Sequence, residues 1–406
     1  MRPGLDGHPL RLPFPRDDVR FIAPAYARLG ERGRVEIVTT PAGSPAWLVT
    51  RHDHVRALFH DDRLGRSHPD PESAPRYSAD ALVGGPFGNY ETEVEDHARL
   101  RSLMVRLLTT RRIEKLRPHV AEIVDELLSE VAGMTPPVDL RAHFSLPLPI
   151  RTICAVLGVP YRDRLEFQSM VDGIGDMTDH DRATASFVQL QQYMADLIKE
   201  KRRKPADDAL SELLGFSEAG KGRLTDDELF LVCSVLLFAG YETTVARLDF
   251  GTVFLLTNPS QLAALRAEPN LITNAVEEIM RLSAPSTGVI PRYARADVDL
   301  DGVTIRAGEL VLLGFDQANQ DAGVFAEPER FDITRSPCPH VAFGHGRYGC
   351  IGSALARVEL QSAFSKIFDR LPNLRLAVPP EELRIRDQAL AGGLRELPVS
   401  WDGHGR

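Results

Sequence analysis

Cys350 stands in the segment Phe343-Gly344-His345-Gly346-Arg347-Tyr348-Gly349-Cys350-Ile351-Gly352, one thiol among four glycines just ahead of a long amphipathic run. Glycine tolerates positive φ and close backbone approach, so such a loop can turn sharply and aim amides at a sulfur. A helix over roughly 351–371 then starts at Cys350, where the dipole and free N–H groups favour the thiolate, the form that ligates a metal. The same residues fit the dinucleotide fingerprint G-x-G-x-x-G, with Asp369 about twenty positions on. Asp369 falls, however, inside the helically spaced set Leu355, Val358, Leu360, Phe364, Ile367, Phe368 and Leu371, and too little chain follows to build a nucleotide-binding half. Metal ligation by a thiolate is the chemistry this segment points to.

A second group with chemical potential is Ala239-Gly240-Tyr241-Glu242-Thr243-Thr244, preceded by the apolar residues Leu229-Phe230-Leu231-Val232 and Val235-Leu236-Leu237-Phe238. The pattern reads as the middle of a long buried helix. Gly240 weakens it locally, and the Thr243 hydroxyl can bond back to the carbonyl of Ala239, four residues earlier. An acid followed by an alcohol at such a point suits a proton relay. The alternative is a core helix with polar residues at its end.

With these motifs in view, the chain resembles the cytochrome P450 superfamily, whose haem-binding loop has the form F-G-x-G-x-H-x-C-x-G. Tyr348 departs from it, since the family has His or Arg there to donate to a haem propionate, and a phenol donates one hydrogen bond without charge. Upstream, Glu278-Ile279-Met280-Arg281 matches the family's E-x-x-R, and Arg330 in Pro328-Glu329-Arg330-Phe331 matches the arginine that completes a buried charge network. Taken alone, Glu278 and Arg281 form an ordinary i, i+3 helix pair. The resemblance implies Cys350 as metal ligand to haem b (iron protoporphyrin IX). It also implies haem contacts from Phe343, Gly344, Tyr348, Gly352, Ala239 and Gly240, and propionate contacts from His97, Arg101 and Arg292. Glu242 and Thr243 are the implied proton relay. An anionic sulfur ligand favours O–O cleavage.

The implied fold is mainly α with small β-sheets, the haem lying between a long central helix and the cysteine loop. Strand-like pieces at Val35-Glu36-Ile37-Val38 and Trp47-Leu48-Val49-Thr50 precede helical patterns from about 95 to 280. Further strands are expected near Val298-Asp299-Leu300, Val303-Thr304-Ile305 and Leu310-Val311-Leu312-Leu313. No Pro/Ser-rich linker, repeat or low-complexity tract divides the 406 residues, so one domain over 1–406 is expected, β-rich near 30–60 and 285–335 and helical near 95–280 and 351–371.

A hydrophobic content of 43% fits a soluble globular protein, and four irregularly spaced cysteines give neither a disulfide framework nor a metal finger, which fits a reducing cytoplasm. The first residues form no apolar signal, and the longest apolar stretch, 229–240, falls short of the ~20 residues a membrane span requires. The net charge is −9, yet Arg99, Arg101, Arg106, Arg111, Arg112, Lys115 and Arg117 face one acid, Glu114. Such a surface suits an acidic protein partner rather than nucleic acid, or is an uneven solvated helix.

By the resemblance, the enzyme is a soluble bacterial monooxygenase of the actinobacterial natural-product type, taking O2 and receiving electrons from a separate ferredoxin with its reductase. Its substrate is a polyketide, terpenoid or peptide intermediate. Pocket candidates on the same analogy are Val83 and Phe87 in a glycine-rich lid (Gly84, Gly85, Gly88), Val289 and Ile290, and Leu390. The alternatives are a P450 performing desaturation, rearrangement, ring formation or aryl coupling, and a haem-thiolate sensor without turnover. A pure binder has no need of the Glu242-Thr243 pair.

Overall fold

The computed structural model describes residues 10–26, 29, 35–78, 84–174, 180–218, 224–286, 288–386 and 392–402. In chain order the strands are β1 (Val35–Thr39), β2 (Pro45–Val49), β3 (Leu64–Gly65), β4 (Val138–Asp139), β5 (Val289–Ala294), β6 (Val298–Leu300), β7 (Val303–Ile305), β8 (Leu310–Gly314), β9 (Arg375–Leu376) and β10 (Pro398–Ser400). The longer helices are α1 (His52–Leu58), α2 (Glu93–Leu107), α3 (Thr110–Ala132), α4 (Pro147–Leu157), α5 (Arg164–Ile174), α6 (His180–Arg203), α7 (Ala209–Glu218), α8 (Asp226–Thr257), α9 (Pro259–Ala267), α10 (Ile272–Leu282) and α11 (Ser353–Phe364). The protein is thus mainly helical with small sheets. It divides into two compact units, Met1–Arg99 with Thr257–Cys350 and Leu100–Leu256 with Ile351–Arg406.

The first unit is built on a five-stranded sheet in the order β1-β2-β8-β5-β3, with β2 and β8 parallel and the other pairs antiparallel. Every residue of β8 is buried, because alternate side chains feed cores on opposite faces. Val311 and Leu313 pack with Val49, Val55 and Leu58, while Leu310 and Leu312 pack with Leu12, Tyr26, Leu48 and Tyr293. A strand covered on both faces reads as an unbroken apolar run, which is why Leu310-Val311-Leu312-Leu313 was legible. Between β6 and β7, Asp301 and Gly302 both take positive φ (51° and 78°), the conformation of a two-residue type I′ hairpin.

In the second unit, Thr109 caps α3, its hydroxyl accepting from the Arg112 amide at 3.4 Å. The helix buries Ile113, Val120, Ile123, Val124, Leu127, Leu128 and Val131 at helical spacing and packs along α11. The helix expected over 351–371 is shorter: α11 ends at Phe364, Lys366 leaves the helical region (φ −124°), and a single turn resumes at Ile367–Arg370. A small sheet, β4-β10-β9, escaped the sequence reading because its strands are two or three residues long.

The apolar stretch 229–240 lies within α8, which as a whole is long and apolar enough to cross a membrane. Its second half instead forms core: Val245, Ala246, Leu248, Phe250, Val253 and Leu255 are buried, together with Arg247 and Asp249. A helix that is apolar all round is what a protein interior demands. The buried Asp249 is paired with Arg141 at 2.9 Å, and Arg141 is itself held in the π-helical turn Arg141–Ser145. Burial raises the Asp249 carboxyl to about 6 against the opposing pull of Arg141.

Candidate functional site

In the first unit the cysteine loop is closed by backbone bonds. The Cys350 amide donates to the Phe343 carbonyl at 2.7 Å, Gly349 to Gly346 at 3.0 Å, and Gly344 to Val341 at 2.8 Å. Gly344 and Gly346 both take φ +66°, so two of the loop's turns require glycine. A Cβ on Gly346 would also lie 2.9 Å from the Phe59 carbonyl and from the His60 ring. Gly352, by contrast, has φ −81° and serves as the N-cap of α11, three residues before which the Cys350 thiol stands exposed. Cys350 therefore precedes the helix rather than opening it.

Tyr348 lies among an imidazole and three guanidinium groups. His97 packs on it with ring centroids 4.4 Å apart, and the guanidinium groups of Arg292, Arg347 and Arg66 lie 4.8, 5.2 and 5.3 Å from its centroid. Its hydroxyl donates to Glu93 at 2.8 Å. Glu93 also accepts from the amides of Arg66 and Ser67, from the Ser67 hydroxyl and from Arg295, and these bonds hold its carboxyl down at about 2 despite burial. Arg292, on β5, is 8% exposed; burial and the neighbouring Arg66 push its guanidinium down to about 10. Sequence reasoning placed His97, Arg292 and Tyr348 here. Arg66 and Glu93, which it did not single out, complete the cluster. Arg101 follows His97 by one turn of α2 and belongs to the second unit.

The charge network exists, with one substitution of membership. Arg281 grips Glu278 in a bidentate pair at 2.7 and 2.8 Å, both side chains fully buried, and donates to the carbonyls of Asn319 and Pro328. The second cation is Arg335, 3.2 Å from Glu278, and not Arg330. The Arg330 side chain is exposed and pairs with Glu327 at 2.8 Å, so only its carbonyl enters the network, accepting from Arg281. A buried carboxylate needs a neighbour whose chain path brings it inward, and Arg335, 13% exposed, has that path.

In the second unit α8 runs unbroken through Gly240. The Thr243 hydroxyl donates to the Ala239 carbonyl at 2.8 Å, the back-bond that its spacing predicts. Ala239 and Thr243 are exposed while Tyr241, Thr244 and Val245 are buried. A Cβ on Gly240 would meet no described atom within 4 Å, so the helix is open at this point. Glu242 is held by Arg386 at 3.1 Å, and the Arg386 amide donates to Gly393 in a C-terminal hairpin-like segment.

The profile of the cytochrome P450 family matches residues 41–388. The chain belongs to the cytochrome P450 family. Pentalenolactone synthase of Streptomyces exfoliatus is 42% identical over 400 residues, covering 96% of this chain and 99% of the relative. The mycinamicin IV hydroxylase/epoxidase of Micromonospora griseorubida is 39% identical, covering 96% and 98%. The crystal structure of the cytochrome P450 MoxA from Nonomuraea recticatena superposes with a TM-score of 0.90 at 34% identity, covering 98% of this chain and all of that one. The chain is accordingly a P450 monooxygenase of the actinobacterial secondary-metabolite type, and the family implies a haem-thiolate cofactor.

The residues of the P450 fit such a group. An exposed thiol is presented by a glycine-turned loop, and buried or half-buried cations gather at Tyr348 around a carboxylate already engaged by other donors. The other sequence candidates stand as follows. Phe87 is exposed, its amide bonded to the Arg66 carbonyl at 2.8 Å; Val289 and Ile290 are half-buried at the start of β5; Val83 and Leu390 lie outside the described residues. Gly88 takes φ +88°, consistent with a turn in the lid segment.

The basic run is less bare in three dimensions than along the chain. Arg112 pairs with Glu212, Lys115 lies 4.0 Å from Asp207, Arg117 pairs with Glu114 at 2.9 Å, and Arg106 covers the Phe216 ring at 4.5 Å. Acids about a hundred residues away, invisible to local counting, reach two of its seven cations. Among the free thiols, Cys154 and Cys233 are buried and raised to about 12 by desolvation, a setting of inert core cysteines.

Proposed function

We propose that this P450 binds haem b through Cys350 and inserts one atom of O2 into a C–H or C=C bond of a small natural product, with electrons from a separate ferredoxin and its reductase, in the cytoplasm. The whole chain is taken as one catalytic domain. The observation that carries the reading is the exposed Cys350 thiol in a loop whose turns demand Gly344 and Gly346. When bound, the haem supplies O2 activation, which an anionic sulfur ligand promotes.

The remaining work falls to side chains. Arg292 and His97 hold the carboxylate edge of the cofactor, with Arg101 as a further candidate. Thr243 keeps its hydroxyl on the Ala239 carbonyl, which fixes its rotamer and leaves the oxygen's lone pairs to accept a proton donor from the open side. Glu242, tethered by Arg386, supplies the carboxylate that exchanges protons with solvent. Phe87, Val289 and Ile290 are the described residues that line the substrate. The names of the relatives support an actinobacterial secondary metabolite as substrate class. The exposed Arg111 supports an acidic electron donor.

The test is the carbon monoxide difference spectrum of the reduced protein. A Soret band at the position characteristic of thiolate ligation is expected, and it should vanish in Cys350→Ala. A band typical of histidine ligation, or a spectrum unchanged by the substitution, refutes the assignment.

A further inference from the structure

Position 348 holds a tyrosine whose hydroxyl is already committed to Glu93, so it has no donor left to offer and carries no charge. Something else must balance an anionic ligand edge. Arg66 has the geometry: its guanidinium lies between two rings, 5.3 Å from the Tyr348 centroid and 5.4 Å from that of Phe87. Its buried Nε has no hydrogen-bond partner, and Glu93 is 4.0 Å away, beyond bonding distance. Arg292, 4.8 Å from the same ring, donates to the carbonyl of its own neighbour Pro291 at 2.8 Å. Of the three guanidinium groups near the Tyr348 ring, Arg347 is paired with Asp62 at 3.1 Å, while Arg66 and Arg292 face a Glu93 already spent on Ser67, Tyr348, Arg295 and two amides, which leaves an excess of positive charge. Like charges crowd in this way at a low cost only when an anion joins them.

We propose that Arg66 supplies to the haem carboxylates the positive charge that position 348 lacks, with Tyr348 as the platform that holds Arg66 and Arg292 and Glu93 as the clamp on that platform. Arg66 is thus a positioning and charge-balancing residue, and the inference rests on the haem reading above. Because Arg66 also stacks on Phe87 and its carbonyl accepts the Phe87 amide, the same side chain links the cofactor edge to the lid segment.

The test is a double-mutant cycle on the haem-loaded protein, reading haem release to excess apomyoglobin and the midpoint potential. Arg66→Met is expected to speed haem release about tenfold, the worth of one charge-assisted hydrogen bond. It should also lower the potential, because the reduced centre carries one more negative charge. Arg66→Lys should restore both. In a Tyr348→Arg background, where a permanent cation returns to that position, Arg66→Met should change release less than about twofold. An equal effect in both backgrounds, or no change in potential on removing Arg66, overturns the proposal; a merely structural role for Arg66 predicts the latter. Failure of the haem reading is recognised separately, since the parent protein would then show no thiolate-type carbon monoxide band at all.

Discussion

Glu359, on α11, is 3% exposed, and burial raises its carboxyl to about 8, with the Thr152 hydroxyl offsetting only part of the effect. Its ordinary value is 4.5. The unfolded chain therefore ionises this group from pH 4.5 upward while the folded protein keeps it protonated until about pH 8, so the fold loses stability as pH rises between those values. Each unit costs about 1.4 kcal/mol, which makes the penalty about 1 kcal/mol at pH 5 and about 3 kcal/mol at pH 7. Glu359→Gln keeps the shape but cannot ionise in the unfolded state. The variant should equal the parent near pH 4, exceed its stability by up to about 3 kcal/mol at pH 7, and gain further up to pH 8. Urea unfolding followed by circular dichroism at pH 5, 6, 7 and 8 measures the difference. A difference that does not grow with pH, or a variant less stable at pH 7, refutes the argument that Glu359 is buried in its neutral form.

Three further outcomes are expected. Asp249→Ala strands the Arg141 guanidinium in the core and should cost about 3–5 kcal/mol, whereas adding Arg141→Met to it should recover much of the loss; unfolding of both variants decides the matter. Arg335→Ala removes a cation from the buried Glu278 carboxylate and should lower stability by at least about 2 kcal/mol, while Arg330→Ala, exposed on Glu327, should change it by less than about 1 kcal/mol; the reverse order would restore Arg330 to the network. Thr243→Ala removes the hydroxyl that is back-bonded to Ala239 and should divert reducing equivalents to peroxide during turnover, and an unchanged ratio of electrons consumed to product formed would count against the relay.

What could be read along the chain was what depends on near neighbours. The Cys350 loop is legible because its turns need glycine wherever the rest of the molecule lies, and Gly344 and Gly346 do take positive φ. The Thr243 back-bond and the Glu278–Arg281 pair follow from helix periodicity alone, at four and three residues' separation. The strand β8 declared itself as an apolar run because both its faces are covered. Tertiary structure decided everything that turns on which distant segment arrives beside which. It gave the network Arg335 rather than Arg330, brought Glu212 and Asp207 onto the basic run, and set Arg386 against Glu242 across 144 residues of chain. It also committed the Tyr348 hydroxyl to Glu93, 255 residues away, and set the Arg66 guanidinium 5.3 Å from the Tyr348 ring. A residue's type states which bonds it can form; which partner it meets, and whether water competes for it, depends on burial and on contacts between segments far apart in sequence, and these exist only once the chain has folded.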